Sequence, residues 1–183
     1  MIWIIVAIVL LAIIGIVIYY VNKIIVLSNR IDNAWSQIDV QLKKRSDLVP
    51  NLVETVKGYM KHEKDVIKMV TEAREKMMGA TSLKEKAAAE KELTQALKTI
   101  FALAENYPQL KASENFKLLQ EQLEGIENKI AYARQFYNDS VLRFNTAIST
   151  IPGVWFAKII GKDKPREYFE IGEEERKPVK VEF

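Results

Sequence analysis

The sequence RSDLVPNLVETVKGYMKHE, residues 45–63, decides how the body of this protein is interpreted. Its apolar residues recur at alternating steps of four and three, as in a helix that packs along one face. Pro50 interrupts this pattern, because it lacks the backbone donor that would bond the Ser46 carbonyl and its ring crowds that turn. The stretch therefore predicts either one helix kinked at Pro50 or a new helix capped by Asp47.

The same apolar pattern continues on both sides of the stretch and favours the kinked helix. It stays in phase over residues 31–77, and only Arg45 and Glu63 are charged members of it. Gly79 then provides a C-terminal end. We therefore predict one long helix over this range, with the proline tolerated inside it.

Two further helical patterns complete the predicted body. Ser82 and Glu85 form a capping box that opens one helix, and Ser113 is placed to cap the last, whose seam runs over residues 116–151. We predict an all-α fold with an N-terminal transmembrane helix followed by an antiparallel bundle of long helices. The bundle has three helices, or four if the first one breaks at Pro50.

The chain begins with an uncharged apolar run, MIWIIVAIVLLAIIGIVIYYV, before Lys23. About 20 apolar residues at about 1.5 Å rise per residue match the hydrocarbon core of a bilayer. Trp3 and the pair Tyr19–Tyr20 lie near the two ends, where amphipathic rings favour the membrane interface. The run lacks the basic start and cleavage site of a signal peptide. Residues 1–22 are therefore predicted to be a single-pass anchor in the cell membrane.

The charges that flank the run predict its orientation. Lys23 and Arg30 follow it closely, whereas no lysine or arginine precedes it. The positive-inside rule then places the C-terminal domain in the cytoplasm. The predicted division is an anchor at residues 1–22, a helical bundle at 23–151, and a short amphipathic segment with an extended tail at 152–183.

The amphipathic segment VWFAKIIG, residues 154–161, has two interpretations. It lies in the membrane interface through Trp155, Phe156 and Ile160, or it closes the end of the bundle. The tail after it is predicted to be extended and solvated, and pinned by Tyr168 and Phe169.

The composition excludes several classes of chemistry. The chain has no cysteine and one histidine, and a formal net charge of +3 spread along its length. The slight basic excess does not indicate nucleic-acid binding. His62 lacks the second histidine of a zinc-binding helix, and no glycine-rich phosphate loop is present. We predict no catalytic residue, no cofactor, no metal site and no small-molecule ligand.

The polar residues near the seams are the candidates for a structural or partner-binding motif. Arg45 would be unfavourable if buried alone, so we expect it to snorkel or to meet an acid or amide from another helix. Asn138 and Asn145, one heptad apart, are candidates for such polar layers. The candidate residues are Arg45, Asp47, Pro50, Asn51, Glu63, Asn138 and Asn145.

Several motifs together make the sequence similar to the LemA family of bacterial membrane proteins. They are RSDLVPNLVETVKGYMKHE (45–63), VTEAR (70–74), ENYPQLKASENFKLLQEQL (105–123), ARQFYNDSVLRFNTAI (133–148) and the terminal PVKVEF. The resemblance implies an N-terminal anchor and an all-helical bundle. It implies no established enzymatic activity.

These observations favour a membrane-anchored helical scaffold that binds other membrane proteins or a second copy of itself. An alternative is an enzyme or sensor with a polar site at Arg45, Asp47, Asn51 and Glu63. Another alternative is a self-associating protein that shapes the membrane. A converging pocket around these side chains would favour the enzyme or sensor, and outward scatter or a dry polar layer would favour the scaffold.

Overall fold

The computed structural model of the protein describes residues 1–169. Every regular element in that range is a helix, which confirms the predicted all-α fold. The helices are α1 (Ile2–Lys57), α2 (Lys64–Gly79), α3 (Leu83–Ala104), α4 (Pro108–Ala112), α5 (Glu114–Ser149) and α6 (Gly153–Ile159). The terminal PVKVEF motif and most of the predicted tail lie outside the described residues.

The first predicted helix passes through Pro50 but ends before the apolar pattern does. α1 continues to Lys57, and residues 58–63 form a turn before α2 begins. The prediction of one helix over residues 31–77 is therefore wrong. The sequence predicted a fourth helix only if α1 broke at Pro50. The break lies instead at residues 58–63, after the proline.

The residues of this turn explain why the helix stops. Gly58 is a poor helix former, and the backbone N–H groups of Tyr59 and Met60 both bond to the Val56 carbonyl, at 3.0 and 2.9 Å. Met60 is then only 1% exposed, whereas the neighbouring Tyr59 is 41% exposed. The apolar spacing stays in phase across a turn that is not helical.

α2 ends at Gly79, as predicted, although not through a left-handed glycine. The Ala80 N–H bonds to the Lys76 carbonyl at 3.0 Å, and Ala80 itself is extended. Among the described glycines, a positive φ is found at Gly161 and not at Gly79. Gly79 therefore ends the helix through its low propensity and not through its conformation.

The predicted capping box at the start of α3 is confirmed. Glu85 N–H donates to Ser82 Oγ at 3.2 Å, and Ser82 N–H donates to Glu85 Oε2 at 3.0 Å. The backbone N–H of Ser82, followed by that of Thr81, holds the pKa of Glu85 at about 2, well below its ordinary 4.5. The carboxylate is thus bound in its charged form.

The chain forms two compact units. One contains Ile38–Tyr132 and, among the described residues, Phe169. In it α2 packs against α3, and the short connection at residues 80–82 makes them antiparallel neighbours. Its largest fully buried side chains are Ile38, Val49, Leu52, Met60, Leu93, Ile100, Leu110, Phe169 and Ile130.

The other unit contains Met1–Gln37 and Ala133–Tyr168, and so joins the start of α1 to the end of α5 and to α6. The Trp35 and Tyr137 rings lie 5.8 Å apart within it. Its main buried apolar residues are Ile24, Ile31, Ala34, Val141, Phe144, Ile148 and Ala157, and Ser28 and Ser140 are buried with them. The predicted boundaries after residues 22 and 151, between anchor, bundle and tail, are not those of the two compact units. That division stays a prediction.

The start of α1 has the properties of a membrane span. Residues 1–19 are all exposed, and an 18-residue window of α1 has a mean hydropathy of 3.2. Within the described residues, α1 is the one helix long and apolar enough to cross a membrane. The first fully buried side chain of the unit is that of Ile24.

Candidate functional site

The backbone around Pro50 obtains its missing donor from another helix. Pro50 lies four residues after Ser46, so it supplies no N–H to the Ser46 carbonyl. Arg74 on α2 donates from Nε to that carbonyl at 2.9 Å. Ser46 is fully buried, and an unbonded carbonyl there would be unfavourable. The interruption in α1 thereby becomes a tie between α1 and α2.

Arg45 is buried and lies among polar groups from two other helices. Its guanidinium Nη1 donates to Thr94 Oγ1 at 2.9 Å and lies 3.4 Å from Glu90 Oε1, both on α3. Its Nη2 lies 2.7 Å from Glu127 Oε2 on α5. Thr94 Oγ1 in turn donates to Glu90 Oε1 at 3.3 Å. We call these four residues the Arg45 cluster.

The Arg45 cluster is shielded from water on the α3 side. The side chains of Arg45 and Glu90 are 5% and 6% exposed, whereas that of Glu127 is 36% exposed. Glu127 Oε2, the oxygen that faces the guanidinium, is itself buried, so the exposed part of the Glu127 side chain lies elsewhere. A buried ion pair whose groups are hydrogen-bonded is tolerated, whereas either partner alone would be strongly unfavourable.

The other candidates near Pro50 point into solvent. Asp47, Pro50 and Asn51 are exposed on α1. Asp47 forms an ion pair with Lys43 one turn earlier, at 3.2 Å. Glu54, also exposed, continues the same side of the helix, because residues three and four apart are neighbours. We call Lys43, Asp47, Pro50, Asn51 and Glu54 the α1 polar face.

Glu63 has a separate partner beyond the end of α1. It precedes α2 and accepts a hydrogen bond from the Tyr107 hydroxyl at 3.1 Å. Burial, and then the hydrogen bond to Glu63, raise the pKa of Tyr107 above its ordinary value. This contact joins the start of α2 to the start of α4. Arg45, Asp47, Asn51 and Glu63 therefore do not converge on one pocket.

A cavity of about 280 Å³ lies beside α1, α2 and α3. Lys86 pairs with Asp39 in its wall, and the buried Ser46 Oγ in the same wall has no hydrogen-bond partner. The lining residues are Asp39, Val40, Leu42, Lys43, Ser46, Met77, Met78, Ala80 and Lys86, which include none of the predicted candidates. Within residues 1–169, no group of three or more His, Cys, Asp and Glu side chains is arranged to hold a metal ion.

The LemA family profile matches residues 34–183 of this sequence. The chain belongs to the LemA family. The matched range includes every candidate residue, whereas the apolar run before Lys23 lies outside it. The comparison with curated proteins finds no match to this chain.

In this LemA-family protein, Asn145, one of the two predicted polar-layer residues of α5, contacts the segment after α6. Arg45 contacts two acids and a threonine, Glu90, Glu127 and Thr94. The Asn145 side chain instead bonds twice to the backbone of Arg166, through Nδ2 to the carbonyl at 3.0 Å and through Oδ1 from the N–H at 2.8 Å. Asn138 is half-buried on the same helix.

Arg74, Glu90 and Glu127 were not among the residues predicted from the sequence. Glu90 carried a signal, because it lies three residues before Leu93 and so extends the apolar seam of α3 with a charge, as Arg45 does in α1. Arg74 was recognised only as part of a motif. Glu127 lies one position beside the α5 seam, where an exposed glutamate is ordinary, so nothing in its spacing indicates a buried partner.

Proposed function

We propose that this LemA-family protein is a scaffold that is anchored in the cell membrane by the start of α1 and presents its helical body to partners in the cytoplasm. The exposed apolar run at residues 1–19 supports the anchor. Lys23 and Arg30, which follow the run closely, support the cytoplasmic orientation.

The internal use of Arg45 is the observation that carries the scaffold over an enzyme or sensor. Its charge is compensated by Glu90 and Glu127, and its Nη1 and Nη2 groups contact residues of α3 and α5. A catalytic arginine would have to present donors to a substrate. Arg74, likewise, supplies from inside the protein the hydrogen bond to the Ser46 carbonyl that Pro50 cannot donate.

The α1 polar face is the proposed docking surface. Its members are exposed and follow one side of α1, whereas Leu42, Val49 and Leu52 on the same helix are buried. Lys43 and Asp47 offer charge of both signs, and Pro50 offers an apolar ring with a fixed backbone geometry. The proposed partner is another membrane protein or a second copy of this chain.

Photo-crosslinking in native membranes tests this surface. A photoreactive residue at Asn51 should capture a discrete partner, whereas one at Gln120, which is exposed on α5, should not. Capture of a second copy would assign the surface to self-association and favour the membrane-shaping alternative. Equal labelling from both positions, or none from Asn51, would contradict the docking surface.

Thiol labelling in intact cells tests the anchor and its orientation. The chain has no cysteine, so single substitutions report without background. We expect Ile2→Cys to be accessible to an impermeant reagent from outside and Gln120→Cys to react only after permeabilisation. Labelling of Gln120→Cys in intact cells at the full rate would reverse the proposed orientation.

Small-molecule turnover or binding by the purified full-length protein tests the enzyme or sensor alternative. Asn51→Ala is the variant to compare, because Asn51 is exposed and its loss should leave the fold intact. We expect neither turnover nor specific binding in either protein. Turnover that disappears in Asn51→Ala, with unchanged helicity, would overturn the scaffold.

A further inference from the structure

Helix α6 buries its small residues and exposes its large apolar ones. Gly153 and Ala157 are buried, whereas Trp155 and Ile159 are 58% and 77% exposed. At about 100° per residue, each pair lies on one side of the helix, and the two sides are opposite. Ile151, just before the helix, is also exposed, at 74%. We call Ile151, Trp155 and Ile159 the α6 apolar face.

The orientation of α6 is fixed by a close approach to α5. A Cβ added at Gly153 would lie 2.0 Å from the Ala147 carbonyl oxygen, so only glycine allows this contact. Since Gly153 and Ala157 must face inward, the α6 apolar face is held outward. An exposed tryptophan and isoleucine on one side of a short helix form an apolar patch that water covers poorly.

The same contacts place α6 next to the end of the apolar run in α1. The Phe156 ring stacks on that of Tyr20, with centroids 5.6 Å apart. Farther along α1, Lys162 Nζ donates to Ser28 Oγ at 3.1 Å, and Arg166 lies 3.5 Å from Asp32. The segment after α6 therefore runs along α1 away from the apolar run. Of these contacts, the one made by α6 is nearest to the run.

We infer that α6 is a second membrane contact, which lies in the boundary between headgroups and acyl chains beside the span and inserts the α6 apolar face. This inference rests on the proposed anchor, because the depth of α6 is set by Tyr20 at the end of the run. Tryptophan favours that boundary, and the exposed Lys158, with Lys23 near the Tyr19 and Tyr20 rings, provides positive charge for anionic headgroups.

Tryptophan fluorescence in lipid vesicles tests the inference with the full-length protein. The chain has three tryptophans, Trp3, Trp35 and Trp155. The double variant Trp3→Phe with Trp35→Phe retains Trp155 on α6, and Trp35→Phe with Trp155→Phe retains Trp3 in the proposed span. Each is reconstituted in phosphatidylcholine–phosphatidylglycerol vesicles whose acyl chains are brominated close to the headgroup.

The two variants separate the contact of α6 from the anchor. We expect brominated lipid to quench both Trp3 and Trp155, with a blue-shifted Trp155 spectrum relative to the unfolded protein. Quenching of Trp3 without Trp155 would overturn the α6 contact and leave the anchor. Quenching of Trp155 without Trp3 would overturn the span and keep the surface contact, and quenching of neither would overturn both.

A polar variant of the α6 apolar face provides the second measurement. Ile151→Ser with Ile159→Ser, in the protein that retains Trp155, should reduce quenching by brominated lipid and increase quenching by aqueous iodide. Helicity should not change, because both isoleucines are exposed. Unchanged accessibility to both quenchers would show that the face does not enter the lipid.

Discussion

At the scale of single residues, the arginine at position 45 shows why one charge can be stable inside a helical seam. Its guanidinium has donors in a planar fork, and two carboxylates and a hydroxyl lie within reach of them. Lysine would offer a compact ammonium and could not span the same partners from one position. The position therefore requires arginine for its geometry as well as its charge.

Replacement of Arg45 by methionine should destabilise the protein strongly. Methionine fills a similar volume but removes the guanidinium from the buried Glu90, and breaking a buried pair on one side costs about 3–5 kcal/mol. Urea unfolding of the full-length protein in detergent micelles, followed by circular dichroism, measures the change. The matched control is Lys43→Met, which removes an exposed ion pair on the same helix and should cost about 0–1 kcal/mol.

The double variant Arg45→Met with Glu90→Leu should recover most of the loss, because an apolar pair removes both buried charges. A single Arg45→Met variant as stable as Lys43→Met would show that the Arg45 cluster contributes nothing to folding.

A double-mutant cycle tests the link between Pro50 and Arg74. Arg74→Leu should cost about 1–3 kcal/mol, because it leaves the buried Ser46 carbonyl without a donor. In a Pro50→Ala background, the new N–H at position 50 can bond that carbonyl, so Arg74→Leu should cost less. The difference between the two costs, from urea unfolding, is the coupling energy. Equal costs in both backgrounds would show that Arg74 does not compensate for the donor that Pro50 lacks.

The sequence predicts that Arg45 requires a polar partner and that Pro50 leaves a carbonyl without a donor, but it does not predict which residues bond to them. A charge in the seam and a carbonyl without a donor follow from the identities of Arg45 and Pro50 alone. The residues that answer them are distant in sequence and lie on other helices. The packing of the helices decides which of them face each other. The spacing of residues within one helix therefore cannot identify Glu127 as a partner of Arg45, or Arg74 as the donor to the Ser46 carbonyl.

At the scale of helices, local signals were more reliable than the long apolar pattern. The capping box of Ser82 and Glu85 was predicted and is present, since both of its bonds join residues three apart. The pattern over residues 31–77 failed at Gly58, because a turn of suitable length returns the apolar residues to the same phase. Periodicity reports which residues face the core and does not report that the backbone between them is continuous.

The capping box predicts a dependence of stability on acid pH. Glu85 has a folded pKa of about 2, below its ordinary 4.5, so its contribution is fully present above about 4.5 and is lost as pH falls towards 2. Glu85→Gln removes the charge. The two proteins should therefore differ most in free energy of unfolding at neutral pH and least near pH 2. Thermal unfolding at stepped pH measures this, and a difference that grows towards low pH would contradict it.

The close approach of α6 to α5 predicts opposite effects for two similar substitutions. Gly153→Ala must displace the Ala147 carbonyl and should cost about 1–3 kcal/mol. Gly125→Ala, inside α5 with nothing within 4 Å of the added Cβ, should stabilise by up to about 1 kcal/mol. Thermal unfolding of the two full-length variants gives both signs. A stabilised Gly153→Ala would mean that α6 does not pack as described.

At the scale of the whole molecule, the boundary of the core predicts where the chain can be shortened. Residues 1–19 contribute no buried side chain, whereas Ile24 and Ser28 are fully buried. A protein that begins at Lys23 should unfold cooperatively and be strongly helical in the presence of a chelator. One that begins at Asp32 should melt at a lower temperature, because it lacks Ile24, Ser28 and Ile31. Equal melting temperatures would contradict the described core.

The Arg45 cluster also has a consequence for the alignment of the helices. The apolar seams repeat every seven residues, so sliding one helix past its neighbour by a heptad, about 10 Å, would again place apolar side chains opposite apolar ones. Such a slip would carry Arg45 away from Glu90 and Glu127 and break both of these ion contacts. We expect the apolar residues to supply attraction in several registers and the ionic contacts of Arg45 to favour one of them.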